Sequence, residues 1–294
     1  MKNSFESRVA RLPCWQSDIA IETLSGGMTN HNFKVLDGSQ SYVVRIGSDD
    51  PIHLISRGNE AAANRAAFEV GVSPELVYQE PGVLVVRFID GKVYEEADVR
   101  NEQNLPRIVE MLRRYHQQTP KHFHEVPVMF WVFQVLRHYQ HVLITGNSGH
   151  NARLSELEQI ANSLEKSVGA VEIVYGHNDL LAANFIDDGQ KIWLIDFDYA
   201  GFNSPLFDLS NLASNNELSP DQEVTMLEAY FGTSFNRKQW ISYHAMKCAS
   251  LLRETLWSMV AEIHSELDVD FPAYTRKNLE RFEQAFDSFQ SEYQ

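Results

Sequence analysis

No stretch of this chain limits its fold as tightly as Val174 to Leu209, which reads VYGHNDLLAANFIDDGQKIWLIDFDYAGFNSPLFDL. Phe185 and Ile186 run outward, Asp187-Asp188-Gly189 turn the chain, and Lys191 to Ile195 return with β-rich apolar residues. That is the pattern of a tight β-hairpin. A hairpin this short sets its open ends side by side, which predicts that Asn184 and Asp196 lie close together. Asp179 stands a few residues upstream. Two carboxylates and an amide would then meet at one mouth, a polar grouping that apolar packing does not require. It suits a divalent metal and a hydroxyl nucleophile.

Around the hairpin the chain divides by pattern. Strands are predicted over Ile19 to Leu24, Phe33 to Leu36, Ser41 to Ile46, Leu76 to Tyr78 and Val83 to Ile89, with turn signals at Asp37-Gly38 and Pro81-Gly82. The alanine-rich run Asn59 to Val70 predicts one helix, closed by Gly71. Asp90-Gly91 breaks the pattern and predicts a boundary between lobes 1–90 and 91–294. Beyond it helical spacing dominates, over Gln103 to Gln117, Phe130 to Leu143 and Ser155 to Val168. Ser155 with Glu158 three residues on predicts a capping box. Ser219-Pro220 opens a helix to Phe231, and Arg237 to His264 and Pro272 to Phe289 close the chain. The expected fold class is α+β, with a small β-rich N-lobe holding one helix and a large, mainly helical C-lobe.

Charge narrows the partners. The formal net charge is −15, from 25 basic and 40 acidic residues. Such a surface repels a phosphate backbone, which argues against nucleic acid and suits cationic ligands. Cys14 and Cys248 are the only cysteines and offer no disulfide framework, in keeping with a reducing cytosol. The first fifteen residues carry charges throughout and lack the apolar core of a signal peptide. The longest apolar run, near Val126 to Leu136, contains Pro127 and Gln134 and is too short to span a bilayer. A cytoplasmic protein without membrane insertion is expected, as a monomer or homodimer.

The hairpin residues define a chemistry. Asp179, on a loop after an apolar strand, can orient or deprotonate a hydroxyl. Alone it would read better as a loop Asp capping the next helix or turn; with Asn184 and Asp196 it forms a constellation. Hard oxygen ligands, with no Cys and no His-x-x-x-His pair, favour Mg2+ or Mn2+ over zinc. Magnesium held by few protein groups completes its shell with substrate phosphates, which points to phosphoryl transfer. A loop to hold phosphates is available at Ser25, Gly26, Gly27, Met28, Thr29 and Asn30, between two strands, where glycines let backbone amides approach an anion. It is not a Walker loop, since no Gly-Lys-Ser/Thr follows. Arg45 on the third strand could reach phosphates, and Glu60 at the start of the alanine-rich helix could hold it by an ion pair.

In this order the parts resemble the protein-kinase-like superfamily in its small-molecule branch, and within it the choline/ethanolamine kinases, especially bacterial members. The motifs are LSGGMTNHNF at Leu24 to Phe33, HNDLLAAN at His177 to Asn184, IDFDYAGFNSPLFDLSNLASNNEL at Ile195 to Leu218, and LWSMVAEIHSELDVDFPAYTRKNLERFE at Leu256 to Glu283. The resemblance implies a bilobal kinase-like fold and ATP-dependent phosphorylation of a small cationic amino alcohol, choline first and ethanolamine second. Thiamine, aminoglycoside or other small-alcohol kinases are the alternatives within the chemistry, and a non-catalytic nucleotide-binding module is the alternative outside it. Asp179 would be the catalytic base, and Asn184 and Asp196 would bind the metal on ATP. Ser25 to Asn30 would cover the phosphates, with Arg45 in place of the usual lysine and Glu60 orienting it. Adenine would hang on the backbone of a hinge at Arg87, Phe88 and Ile89. His177 and Asp208 would brace the catalytic loop. Tyr199, Trp257 and Tyr274 correspond to the aromatic cage around the substrate cation. Two positions of that site depart from the family pattern: Asn215 stands where a Glu is frequent, and Glu254 where animal enzymes carry another Trp.

Overall fold

The computed structural model describes residues 2–24, 30–265 and 267–293. In chain order they form α1 (Lys2–Ala10), β1 (Ile19–Leu24), β2 (His31–Asp37), β3 (Gln40–Ile46), α2 (Arg57–Glu69), β4 (Leu76–Glu80), β5 (Val83–Arg87) and β6 (Lys92–Val93). Then come α3 (Glu96–Val99), α4 (Asn104–Gln118), α5 (Val132–Thr145), α6 (Asn151–Val168), β7 (Val174–Gly176), β8 (Phe185–Asp187), β9 (Ile192–Leu194) and β10 (Gly201–Asn203). The chain ends in α7 (Pro205–Asn215), α8 (Pro220–Phe231), α9 (Arg237–His264) and α10 (Phe271–Tyr293). Two compact units result, one of Met1–Tyr94, Gln118–Val126 and Ala183–Asp198, the other of Glu95–Gln117, Pro127–Ala182 and Tyr199–Gln294.

The first unit is built on an antiparallel sheet of order β1-β2-β3-β5-β4. Period-two alternation puts Phe33, Val35, Val44, Ile46, Val83 and Val85 into one core with Val9 and Leu12. Phe5 packs against it; Phe5 and Val9, four apart on α1, share one helical face, and Leu12 follows the helix's end. Three apolar residues in a charged run gave α1 little signal in the sequence. Arg45 sits between two core residues of β3 and therefore points to the sheet's opposite face. On α2, Ala61, Ala62, Ala63, Ala66 and Ala67 are all buried, the small side chains of a helix packed on more than one side. The hairpin of β8 and β9 forms as expected, with β6 added along β8. Asp188 caps its turn by accepting the amides of Gln190 and Lys191, and Gly189 takes the left-handed conformation at φ +86°.

The second unit packs α5, α6, α7 and α10 around α9. Helix α9 has buried residues on every side, including Leu252, Arg253, Leu256 and Trp257. Two expectations change here. Helix α6 starts at Asn151, so Ser155 lies inside it and the Ser155–Glu158 capping box does not form. The apolar face of Leu154, Leu157, Ala161, Leu164 and Val168 reaches past Ser155, and its burial carries the helix back a full turn. Helix α7 was not expected, yet Ser204 caps it by accepting the Leu206 amide, and Pro205 occupies its first turn. Ser219 caps α8 with Pro220 in its first turn as predicted, and Gln222 completes a capping box there.

Candidate active site

The sequence-predicted residues fall into two groups, one in each unit. In the first unit, the Ile195 amide donates to the Asn184 carbonyl at 3.0 Å, which brings the hairpin's two ends together. Asp196 follows with φ +68°, a left-handed conformation that costs a non-glycine residue free energy. Its carboxylate is held by Arg45 through both oxygens, each at 2.8 Å. Arg45 also donates to Glu60 at 2.5 Å and to Asp198 at 3.0 Å. Arg57, which the sequence reading passed over, closes the cluster with 2.6 Å contacts to Glu60 and Asp198. Burial by itself would lower Arg45, but Asp196, Glu60 and Asp198 outweigh it and hold the guanidinium well above its ordinary range. Burial, helped by Asp196, pushes Asp198 upward against the pull of Arg45 and Arg57.

These donors fit a hard divalent ion. Glu60, Asp196 and Asp198 each present a carboxylate oxygen within 4.8 Å of the others. Oxygen-only ligands with up to three negative charges match Mg2+ or Mn2+. Of the expected phosphate loop, Ser25, Gly26, Gly27, Met28 and Thr29 lie outside the described residues. Asn30 is described, and a Cβ on Gly47 would come within 2.1 Å of its Oδ1, so only glycine leaves it room. At the expected hinge, the amide of Arg87 donates to Glu75 and that of Phe88 to Ser41, at 2.9 and 3.0 Å. The Phe88 ring carries Lys34 Nζ at 4.0 Å, and Ile89 is half-buried.

In the second unit, the segment bearing Asp179 is held by its backbone. The amides of His177 and Asn178 each donate to Asp208 at 2.7 Å, and the Leu180 amide donates to Asn211 at 2.6 Å. Asp208 and Asn211 lie three apart on α7, so one helix face supports the loop. Asn215 donates to the same Asn211 oxygen at 3.2 Å, which places it with this support. Asn178, at φ +65°, donates to the carbonyls of Tyr199 and Gly201. Beneath the loop, His116 bridges Asp208 and Tyr230 at 2.8 and 2.7 Å, fully buried. Burial would raise Asp208, but His116 and the His177 amide hold it below the usual carboxylate range.

The residues expected around the acceptor, other than Asn215, converge. Trp257 Nε1 donates to the Tyr199 hydroxyl at 2.9 Å, and the Tyr274 hydroxyl donates to Glu254 at 2.7 Å. Arg253 joins them, 2.9 Å from Glu254 and 3.7 Å from Asp179. Burial would lower its pKa, yet Glu254, Asp179 and Tyr199 raise it. Asn178, Asn211 and Arg253 were all missed by sequence reasoning. The one available signal for Arg253 was a charge among Leu251, Leu252 and Leu256 on an apolar helix.

Comparison with known proteins adds to this geometry. The sequence model of the choline/ethanolamine kinase family matches residues 21–243. Protein LicA of Haemophilus influenzae is 26% identical over 263 residues, covering 87% of this chain and 76% of its own. A crystal structure of a choline/ethanolamine kinase family protein from Mesorhizobium loti superposes with TM-score 0.80 and 26% identity, over 97% of this chain and 94% of that one. The choline kinase LicA from Streptococcus pneumoniae does so with TM-score 0.79 and 21% identity, over 99% of each chain.

Proposed function

Because the chain belongs to the choline/ethanolamine kinase family, an ATP-dependent phosphotransferase with an alcohol as acceptor, we propose a division of its chemistry between the residue groups above. The nucleotide-binding lobe is residues 1–90, and the catalytic and acceptor-binding lobe is 91–294. Asn184 and Asp196, with Asp198 and Glu60 beside them, would hold Mg2+, which supplies charge neutralisation on the ATP phosphates. Arg45 positions phosphate from the sheet, and Glu60 and Arg57 fix its direction. Asp179 accepts the proton of the acceptor hydroxyl as that oxygen attacks the terminal phosphorus. His177 and Asp208 keep the Asp179 loop in shape. The acceptor's ammonium lies among Tyr199, Glu254, Trp257 and Tyr274. We place the enzyme in the cytoplasm, as a monomer or homodimer.

The observation that carries this reading is the Asp196 carboxylate locked to Arg45 at the end of a hairpin whose other end is Asn184. A coupled ADP-release assay tests it, with choline, ethanolamine, thiamine and an aminoglycoside as acceptors. Turnover is expected with choline and ethanolamine, and Asp179→Asn should reduce it about 100-fold or more while Mg-ATP still binds. Activity on thiamine alone, or an Asp179→Asn variant as active as the parent, would overturn the assignment.

A further inference from the structure

Arg253 bears on which ammonium the acceptor site takes. Its guanidinium lies 4.4 Å from the centroid of the Tyr199 ring and is 2% exposed. Tyr199 is a ring that the family resemblance reserves for the substrate cation, and a cation of the chain itself already covers its face. The other rings are turned on one another. Trp257 meets Tyr274 edge-on at 6.4 Å and 85°, and its Nε1 is spent on the Tyr199 hydroxyl. With Trp257 at 6% and Tyr199 at 8% exposure, little ring face is left to receive a quaternary ammonium.

What the cluster does present is carboxylate. The side chains of Asp179 and Glu254 keep 20% and 19% of their exposure. Glu254 takes Arg253 on one oxygen and Tyr274 on the other. A carboxylate has about four acceptor directions, so Glu254 can still receive N–H donors.

We infer that this site selects an ammonium that still carries N–H over a quaternary one, so that ethanolamine is preferred to choline. The inference rests on the kinase reading above and ranks acceptors within it. A quaternary ammonium has no hydrogen to donate and binds through ring faces. A primary ammonium donates to carboxylates, and a site built for such donors rejects the analogue that lacks them. Coulomb attraction does not discriminate, because both alcohols are monocations and meet the same one negative charge left by Arg253 against Asp179 and Glu254. Arg253 itself is a positioning residue: it holds Glu254 and keeps Tyr199 covered. The aromatic positions alone would rank choline first, and Arg253 inverts that order.

The test is kcat/KM of the full chain with ethanolamine, N-methylethanolamine, N,N-dimethylethanolamine and choline at saturating Mg-ATP. Values should fall at each methylation, by about tenfold or more across the series. Glu254→Gln should flatten the series, chiefly through the KM for ethanolamine and not that for ATP. Arg253→Met, which uncovers Tyr199, should raise choline relative to ethanolamine. Should neither variant fold, the series measured on the parent enzyme decides. Choline equal to or better than ethanolamine overturns the ranking and leaves the kinase reading standing. Turnover of none of the four overturns both. A folded Glu254→Gln that keeps the full gradient removes Glu254 from the inference.

Discussion

Each unit carries a buried charge cluster, and the two are built in opposite ways. In the first, Arg45 and Arg57 face Glu60, Asp196 and Asp198, and every carboxylate has a guanidinium nitrogen within 3.0 Å. In the second, one guanidinium faces Asp179 and Glu254 and rests on the Tyr199 ring. Its Nε and Nη2 meet no acceptor among the described residues. Fully ionised, each cluster leaves one negative charge, two cations against three anions and one against two. The first therefore cross-links β3, the start of α2 and the chain after the hairpin, and its surplus charge is available to a metal. The second uses a ring to hold its cation, and Glu254, with one partner on each oxygen, keeps acceptor directions for a small ligand. Charge removal in the first cluster should hurt turnover where the charge faces the metal and stability where it only cross-links the chain, and in the second it should change acceptor choice.

The largest effect should come from Asp196→Asn. It removes the charge at the hairpin mouth while Arg45 keeps Glu60 and Asp198. We expect kcat to fall about 1,000-fold, of the order seen when an electrostatic stabiliser of the transition state is lost. ADP release at saturating acceptor measures this, and the melting temperature should change little. A loss no greater than that from Glu254→Gln would mean the two clusters do not divide the work as described.

Local chemistry makes some of this legible in the sequence. The hairpin followed from period-two alternation and an Asp-Asp-Gly turn, and the closeness of Asn184 to its far end followed from the hairpin. The Arg45–Glu60 pair followed from a basic residue in a strand and an acid opening a helix. Asp198 and Arg57 were not legible, because they are 141 residues apart and each resembles a surface charge in its own neighbourhood. The i,i+3 spacing of Arg57 and Glu60 was the one local hint. Arg253 was hidden for the same reason, since its Tyr199 partner belongs to a distant segment. Ser155 shows the converse error: a correct capping signal overruled by the burial of Leu154, one residue upstream.

Arg57→Met tests how much of the first cluster is scaffold. The substitution leaves three acids to Arg45 alone, and breaking a buried pair from one side costs about 3–5 kcal/mol. Denaturant unfolding should show that loss. Adding Asp198→Asn should return part of it, because the partner charge is then gone as well. If the double variant is no more stable than the single, Asp198 was not the charge that Arg57 compensates.

A smaller effect, with a sign fixed by pH, is expected from Asp208→Asn in the second unit. Asp208 sits apart from the Arg253 cluster, paired with His116 and two loop amides instead of a guanidinium. Its folded-state pKa is held below that of an unfolded aspartate. The ionised group therefore contributes stability that is fully present above the unfolded value, about 3.9, and is lost as pH falls through the lower folded one. Hydrogen bonds to a charged group contribute about 1.5–3 kcal/mol, part of which asparagine keeps by accepting one amide. The melting temperature of the parent should exceed that of the variant at pH 7, and the gap should close below about pH 4. A gap that stays constant from pH 7 to pH 3 would mean that Asp208 holds the loop by shape and not by charge, and the contrast between the carboxylates of the two units would lose its electrostatic basis.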